Sequence, residues 1–210
     1  MLDLVANAIG KLNRTLTCLD FSRNSLSKQL MDSMGQMLLQ NHSIRALDLS
    51  GIYRFSADSF AEGSAWDRAL RSPDCSLRDL NLSFNSMSYE LAAPLLRALS
   101  DNRSLRSLNI KENSFGDKGL SELATRCIAC EECSVSQLNI FQDMEAYGEE
   151  AVALLRDAME KNRSIDTIYS SICDQDGEKI EFFANRNSQR KQKMKASYLS
   201  LIEQIWVLGA

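Results

Sequence analysis

Cys127, Cys130 and Cys133 stand at even spacing, C-x-x-C-x-x-C. Thiolates placed this way could hold zinc or an iron–sulfur cluster if a fourth ligand arrived. Glu131 and Glu132 lie between the last two cysteines and oppose this, because adjacent carboxylates raise a thiol's pKa and deplete the thiolate. Other residues suited to catalysis are sparse. His42 is the one histidine and sits in a polar turn, NHSI. No G-x-S-x-G, no phosphate-cradling glycine loop and no H-E-x-x-H occurs. The paired acids Glu131–Glu132 and Glu149–Glu150 are neighbours in sequence, at a turn and at a helix start, where negative charge complements the helix dipole. These residue types point to a chain that is not an enzyme and needs no cofactor, with a cysteine-cluster metalloprotein as a further alternative.

The cysteines belong to a larger pattern. Leu105, Leu108 and Ile110 follow L-x-x-L-x-L spacing, with Asn113 and Phe115 after them. Six copies of this phrase begin at Leu16, Ile44, Leu77, Leu105, Val135 and Ile165, separated by 28, 33, 28, 30 and 30 residues. Apolar positions one, four and six with polar residues between them predict a short strand with one buried face. Between copies the period becomes helical: Leu30, Met34, Leu38; Leu91, Leu95, Leu99; Leu120, Leu123, Cys127; Val152, Leu155, Met159. Cys127 therefore aligns with Leu99 and reads as a small buried hydrophobe. Strand, helix and strand with short connections make successive strands parallel. Each unit leaves an apolar face that only its neighbour covers, so the fold class is an α/β solenoid.

The L-x-x-L-x-L-x-x-N phrase with a full helix in each repeat resembles the leucine-rich repeat family, in its ribonuclease-inhibitor-like subtype. The resemblance spans about Leu2 to Cys173 and implies a curved solenoid with strands on the concave face and helices on the convex face. Residues 1–173 are thus expected to form the solenoid, and 174–210 a helical cap with a basic, amphipathic tail. The long second copy has Ile52 in place of Asn and is expected to bulge between Ile52 and Ser64. The fifth and sixth copies also lack the Asn, so their turns must satisfy backbone groups in another way. The first residues match the end of a repeat, which reads either as a fragment or as a cap made of one helix, leaving the Leu16 strand an open edge.

Strand positions three, five and seven share one face. Position five runs Asp20, Asp48, Asn81, Asn109, Asn139, Tyr169, and position seven contributes Lys111 and Phe141. Uncharged polar groups with aromatic anchors at one end suit a protein interface. The expected protein-binding residues are Asn81, Asn109, Lys111, Asn139, Phe141, Tyr169 and Trp206. A solvated ladder of amides bonding one another is the plainer reading of the same columns.

After Cys173 the repeat stops. Glu178–Arg186 is expected to be a capping helix, followed by a basic run (Arg186, Arg190, Lys191, Lys193, Lys195) and a separate amphipathic helix bearing Tyr198, Leu201, Ile202, Ile205 and Trp206. The basic run reads as a solvated helix or linker, as a contact for an acidic partner or membrane surface, or as a nuclear-targeting signal. The layout, including a final repeat helix that ends MEKNRSI, is similar to the C-terminal half of the tropomodulins, which implies actin binding as an alternative function.

A net charge of -4 argues against nucleic acid as a partner. No apolar run spans a bilayer, the N-terminus lacks the basic region of a signal peptide, and six cysteines in a repeat fold need no disulfides. The N-x-S/T matches at Asn13, Asn41, Asn102 and Asn162 each precede a strand copy, so the repeat explains them. These features favour the cytoplasm. Repeats of this kind also occur in immune receptors and in proteins that bacteria deliver into host cells. The sequence reading is a protein-interaction scaffold that binds a protein partner through the concave face and C-terminal end.

Overall fold

The computed structural model describes residues 2–52, 58–142, 147–172 and 175–208, with side chains from 6 to 196 in those ranges. Strands β1 (Cys18–Asp20), β2 (Ala46–Asp48), β3 (Asp79–Asn81), β4 (Ser107–Asn109), β5 (Gln137–Asn139) and β6 (Thr167–Tyr169) alternate with helices. The helices are α1 (Leu2–Leu12), α2 (Lys28–Gln40), α3 (Ala65–Arg71), α4 (Tyr89–Asp101), α5 (Gly116–Glu122), α6 (Glu149–Lys161) and α7 (Gln175–Leu208). Each strand pairs parallel with the next, giving one sheet in chain order, and Leu19, Leu47, Leu80, Leu108, Leu138 and Ile168 stack in one row. All six expected strands form in the register that the repeat dictates.

The core lies between sheet and helices, where Ile44, Leu77, Leu105 and Ile165 are buried with the helical stripes. α3 is short; Trp66 on it and Phe60 just before it are both buried and meet edge to face, ring centroids 5.4 Å apart. The Trp66 indole donates to the Met31 carbonyl at 2.7 Å. A side chain on Gly35 would come within 2.9 Å of the Trp66 ring, so glycine makes room for it. Of the expected bulge, residues 53–57 lie outside the described residues.

Two sets of asparagines tie repeat to repeat. In the turns before the strands, Asn41 donates to the carbonyls of Ile9 and Asn13, Asn102 to Leu70, and Asn162 to Ile128, at 2.6–2.9 Å. Each also accepts from two backbone N–H groups of its own turn. All three are buried, which accounts for the N-x-S pattern without a glycan. After the strands, Asn85 bridges the Leu49 and Leu82 carbonyls, and Asn113 bridges Leu82 and Ile110. In the fifth copy, which lacks this residue, the Tyr147 hydroxyl donates to the Ile140 carbonyl at 3.2 Å.

The C-terminal end differs from expectation. Cap and tail form one helix, α7, because neither proline nor glycine occurs between Gly177 and Gly209 to stop it. Ile180 and Ala184 are buried, and Asn187 donates to the carbonyls of Asn162 and Ile165 at 3.1 and 2.8 Å. Two of the five cations also engage the last repeat. Arg186 donates to the carbonyls of Met159, Glu160 and Asn162, and Lys191 to Ser164 and the Asp166 carboxylate. Arg190, Lys193 and Lys195 are exposed.

Replacing Asn102 by alanine removes one buried donor and two acceptor bonds together. Urea unfolding of Asn102→Ala should show a loss of about 2–4 kcal/mol.

Candidate protein-binding face

The strand side chains that point away from the helices form a polar face. Its position-five residues are partly committed to the backbone. Asp20, Asp48, Asn81, Asn109 and Asn139 each accept from the N–H two residues on, closing a turn at the strand end. Asn81 also donates to Asp48 at 2.9 Å, the one cross-strand bond of this ladder among the described residues. The first three strands bear Asp20, Asp48 and Asp79 around an open depression of about 440 Å³ that reaches Asn81, Ser107 and Asn109.

The next residue but two is where the backbone does something sequence reading missed. Arg23, Gly51, Phe84 and Glu112 occupy position eight of the first four copies, and all have left-handed φ, between 54° and 64°. Each donates its N–H across to the next repeat, to Ser50, Ser83, Lys111 and Phe141 respectively. Glycine is at ease there and the other three residues are not. At Phe84 this conformation leaves the ring 47% exposed and aims it at Lys111. The Lys111 ammonium lies 5.4 Å from the Phe84 ring centroid and 4.8 Å from that of Phe141. A cation between two rings is held by the negative faces of both, worth about 0.5–2 kcal/mol per contact. Tyr169, opposite Asn139 on β6, is 60% exposed. The structure thus groups Lys111, Phe141 and a third member, Phe84, beside the amide ladder. The side chain of Trp206 lies outside the described residues, as does Cys173.

The cysteines do not assemble. Among the described residues, no group of three His, Cys, Asp or Glu side chains is placed to hold a metal ion. Cys127 is buried in a π-helical stretch, Leu123–Ile128, that continues α5, and its thiol donates to the Leu96 carbonyl at 3.1 Å. Burial pushes this thiol far up, and the neighbouring Cys133 and Glu122 add to the shift. It is a neutral packing group. Cys130 and Cys133 lie in the following turn, where Glu132 pairs with Arg103. The buried Glu122 is likewise occupied, by the Tyr89 hydroxyl and by Arg97 and Arg126. His42 is exposed and meets only the Asp74 carbonyl among the described contacts.

Leucine-rich repeat family models match residues 15–37 and 101–124. The chain is built of leucine-rich repeats. Among curated leucine-rich repeat proteins it is 25% identical over 169 residues to mouse NACHT, LRR and PYD domains-containing protein 9B, covering 80% of this chain and 16% of that one. It is 27% identical over 167 residues to human NACHT, LRR and PYD domains-containing protein 14, covering 73% and 14%. The chain therefore spans less than a fifth of the length of these relatives. Among solved structures, the tropomodulin C-terminal domain of Caenorhabditis elegans aligns with a TM-score of 0.61 at 14% identity, over 93% of this chain and 98% of that one. The leiomodin-1 actin-binding site 2 domain aligns with a TM-score of 0.61 at 10% identity, over 96% and 98%. The repeats share the tropomodulin layout.

Two outcomes check the geometry. Phe84→Gly relieves a left-handed residue but gives up the ring's contact with Lys111 and adds freedom to the unfolded chain, so these opposing effects should leave thermal unfolding of the free chain within about 1 kcal/mol equivalent of the parent. In thiol alkylation followed by mass spectrometry at mildly alkaline pH, exposed Cys18 should label readily, while Cys127 should label only as fast as the chain unfolds.

Proposed function

We propose that this chain is a non-catalytic protein-interaction scaffold of the ribonuclease-inhibitor-like kind, which binds a protein partner on the exposed sheet face and toward its C-terminal end. The observation that carries this reading is Lys111 held between Phe84 and Phe141, with Tyr169 exposed on the same sheet. Aromatic and cationic groups fixed by a rigid backbone lose little freedom on binding, which is what anchors an interface. Asn81, Asn109 and Asn139 supply hydrogen-bonding edges around these anchors. Residues 1–173 act as the presenting solenoid in this reading, and 174–210 as its cap and tail, with Trp206 on the tail. Among the described residues no helix is long and apolar enough to cross a membrane, and the five described cysteines are free thiols. Both facts suit a cytoplasmic chain.

A second reading, an actin or cytoskeletal regulator, is favoured by the near-complete alignment with a domain described as an actin-binding site. Co-sedimentation with filamentous actin decides it: enrichment in the pellet over an actin-free control supports this reading, and equal recovery removes it. For the face itself, the partner recovered by affinity capture should bind the Phe141→Ala, Tyr169→Ala double variant at least about thirtyfold more weakly, the loss of one strong anchor. Unchanged affinity places the interface elsewhere.

A further inference from the structure

Two of the turns that precede strands depart from the asparagine pattern. Three residues before the first apolar position, where Asn41, Asn102 and Asn162 stand, the third copy has Asp74 and the fifth has Glu132. Both carboxylates are exposed, and Glu132 reaches outward to Arg103 at 2.6 Å. Each of these turns closes on its own backbone. Cys75 donates its N–H to the Ser72 carbonyl, and Cys133 donates to the Cys130 carbonyl, both at 3.1 Å. A hydrogen-bonded reversal of this kind holds the Cα atoms of its first and fourth residues within about 7 Å. A disulfide takes Cα atoms about 4.4–6.8 Å apart.

The two turns differ in one respect that matters. In the third copy the first residue is Ser72, so Cys75 faces no second thiol across its turn. In the fifth copy both ends are cysteine, and the backbone has already brought them into disulfide range. Cys130 and Cys133 are half-buried, so solvent reaches both. Neither thiol is a packing group. That of Cys130 makes no hydrogen bond among the described residues, and that of Cys133 has only a long contact to the Val135 carbonyl, at 3.9 Å. Cys127 is set apart from them by its burial and by its bond to the Leu96 carbonyl. The evenly spaced triplet thus divides into one core residue and one solvent-facing pair.

We propose that Cys130 and Cys133 form a reversible dithiol–disulfide site, oxidised by low-molecular-weight disulfides. One cysteine thiolate attacks a sulfur of the small disulfide, breaks its S–S bond and expels one small thiolate, leaving a mixed disulfide on the protein. The other cysteine thiolate attacks the protein sulfur of that adduct, forms the Cys130–Cys133 bond and expels the second small thiolate. Two protein thiols are oxidised, the small disulfide is reduced to two thiols, and the two cysteine protons end on the released thiolates. Cys75 can complete only the first step, so it stops at the mixed disulfide.

Glutathione disulfide is the probe, raised until the exposed Cys18 of the native chain carries a glutathione adduct. Remaining thiols are then alkylated under denaturing conditions and the chain is cut with trypsin, which leaves all three cysteines on the peptide Cys127–Arg156. That peptide should carry one alkyl group, on Cys127, no glutathione, and a loss of about 2 Da for the two hydrogens removed. Reduction before alkylation should restore three alkyl groups. Cys130→Ala removes the resolving thiol, so Cys133 should keep glutathione as Cys75 does. Because the turn already holds the two residues together, the oxidised chain should melt no lower than the reduced one. Three alkyl groups without reduction, glutathione persisting on Cys130 or Cys133 of the parent chain, or a bond from either to Cys127 overturns the proposal. A lower Tm on oxidation overturns it too, since the bond would then form only by distorting the turn.

Discussion

No repeat in this chain can satisfy its own backbone. The forked bond, two consecutive N–H groups on one carbonyl of the preceding strand, makes each unit the completion of the one before. The rest follows from it. It sets the parallel register that stacks the position-four leucines in one row, and it holds adjacent turns close enough for Asn102 and Asn162 to reach back a full repeat. A buried amide that lost its carbonyl would cost about as much as several ordinary surface contacts contribute, so the asparagines enforce stacking as strongly as the leucines do.

Such an array has two ends, and they are unlike. At the C-terminal end α7 supplies, from one helix, an amide, a guanidinium and an ammonium to carbonyls of the last repeat. At the N-terminal end α1 packs on α2, but nothing among the described residues takes the free valences of the first strand.

The exposed face draws its character from backbone geometry. Left-handed residues at position eight turn the chain from strand to helix while donating across to the next repeat. Where that residue is Gly51 it adds no side chain, and where it is Phe84 it adds a ring. The ring meets Lys111 from one side and Phe141 meets it from the other. Acidic strand residues, Asp20, Asp48 and Asp79, lie toward the first repeats, so the face is graded from carboxylates to an aromatic-clamped cation.

The sequence by itself determined the repeat, the parallel order, the strand register and the buried stripes, because apolar spacing and period are local properties that survive translation into structure unchanged. It also placed Cys127 in the core, by alignment with Leu99 alone. It named Lys111 and Phe141 but not Phe84, since a left-handed phenylalanine has no signature in residue type; a φ suited to glycine was occupied by Arg23, Phe84 and Glu112 alike. Tyr147 standing in for a missing asparagine could not be read either, as its hydroxyl reaches a carbonyl seven residues back, a spacing that the repeat phrase does not contain. The tail was divided in two because basic composition resembles a linker, whereas its continuity as a helix depends on docking against the last repeat. Only the tertiary structure decided which polar groups a neighbouring repeat satisfies, as Asn102 does for the Leu70 carbonyl, because such a bond joins residues 32 apart in the chain.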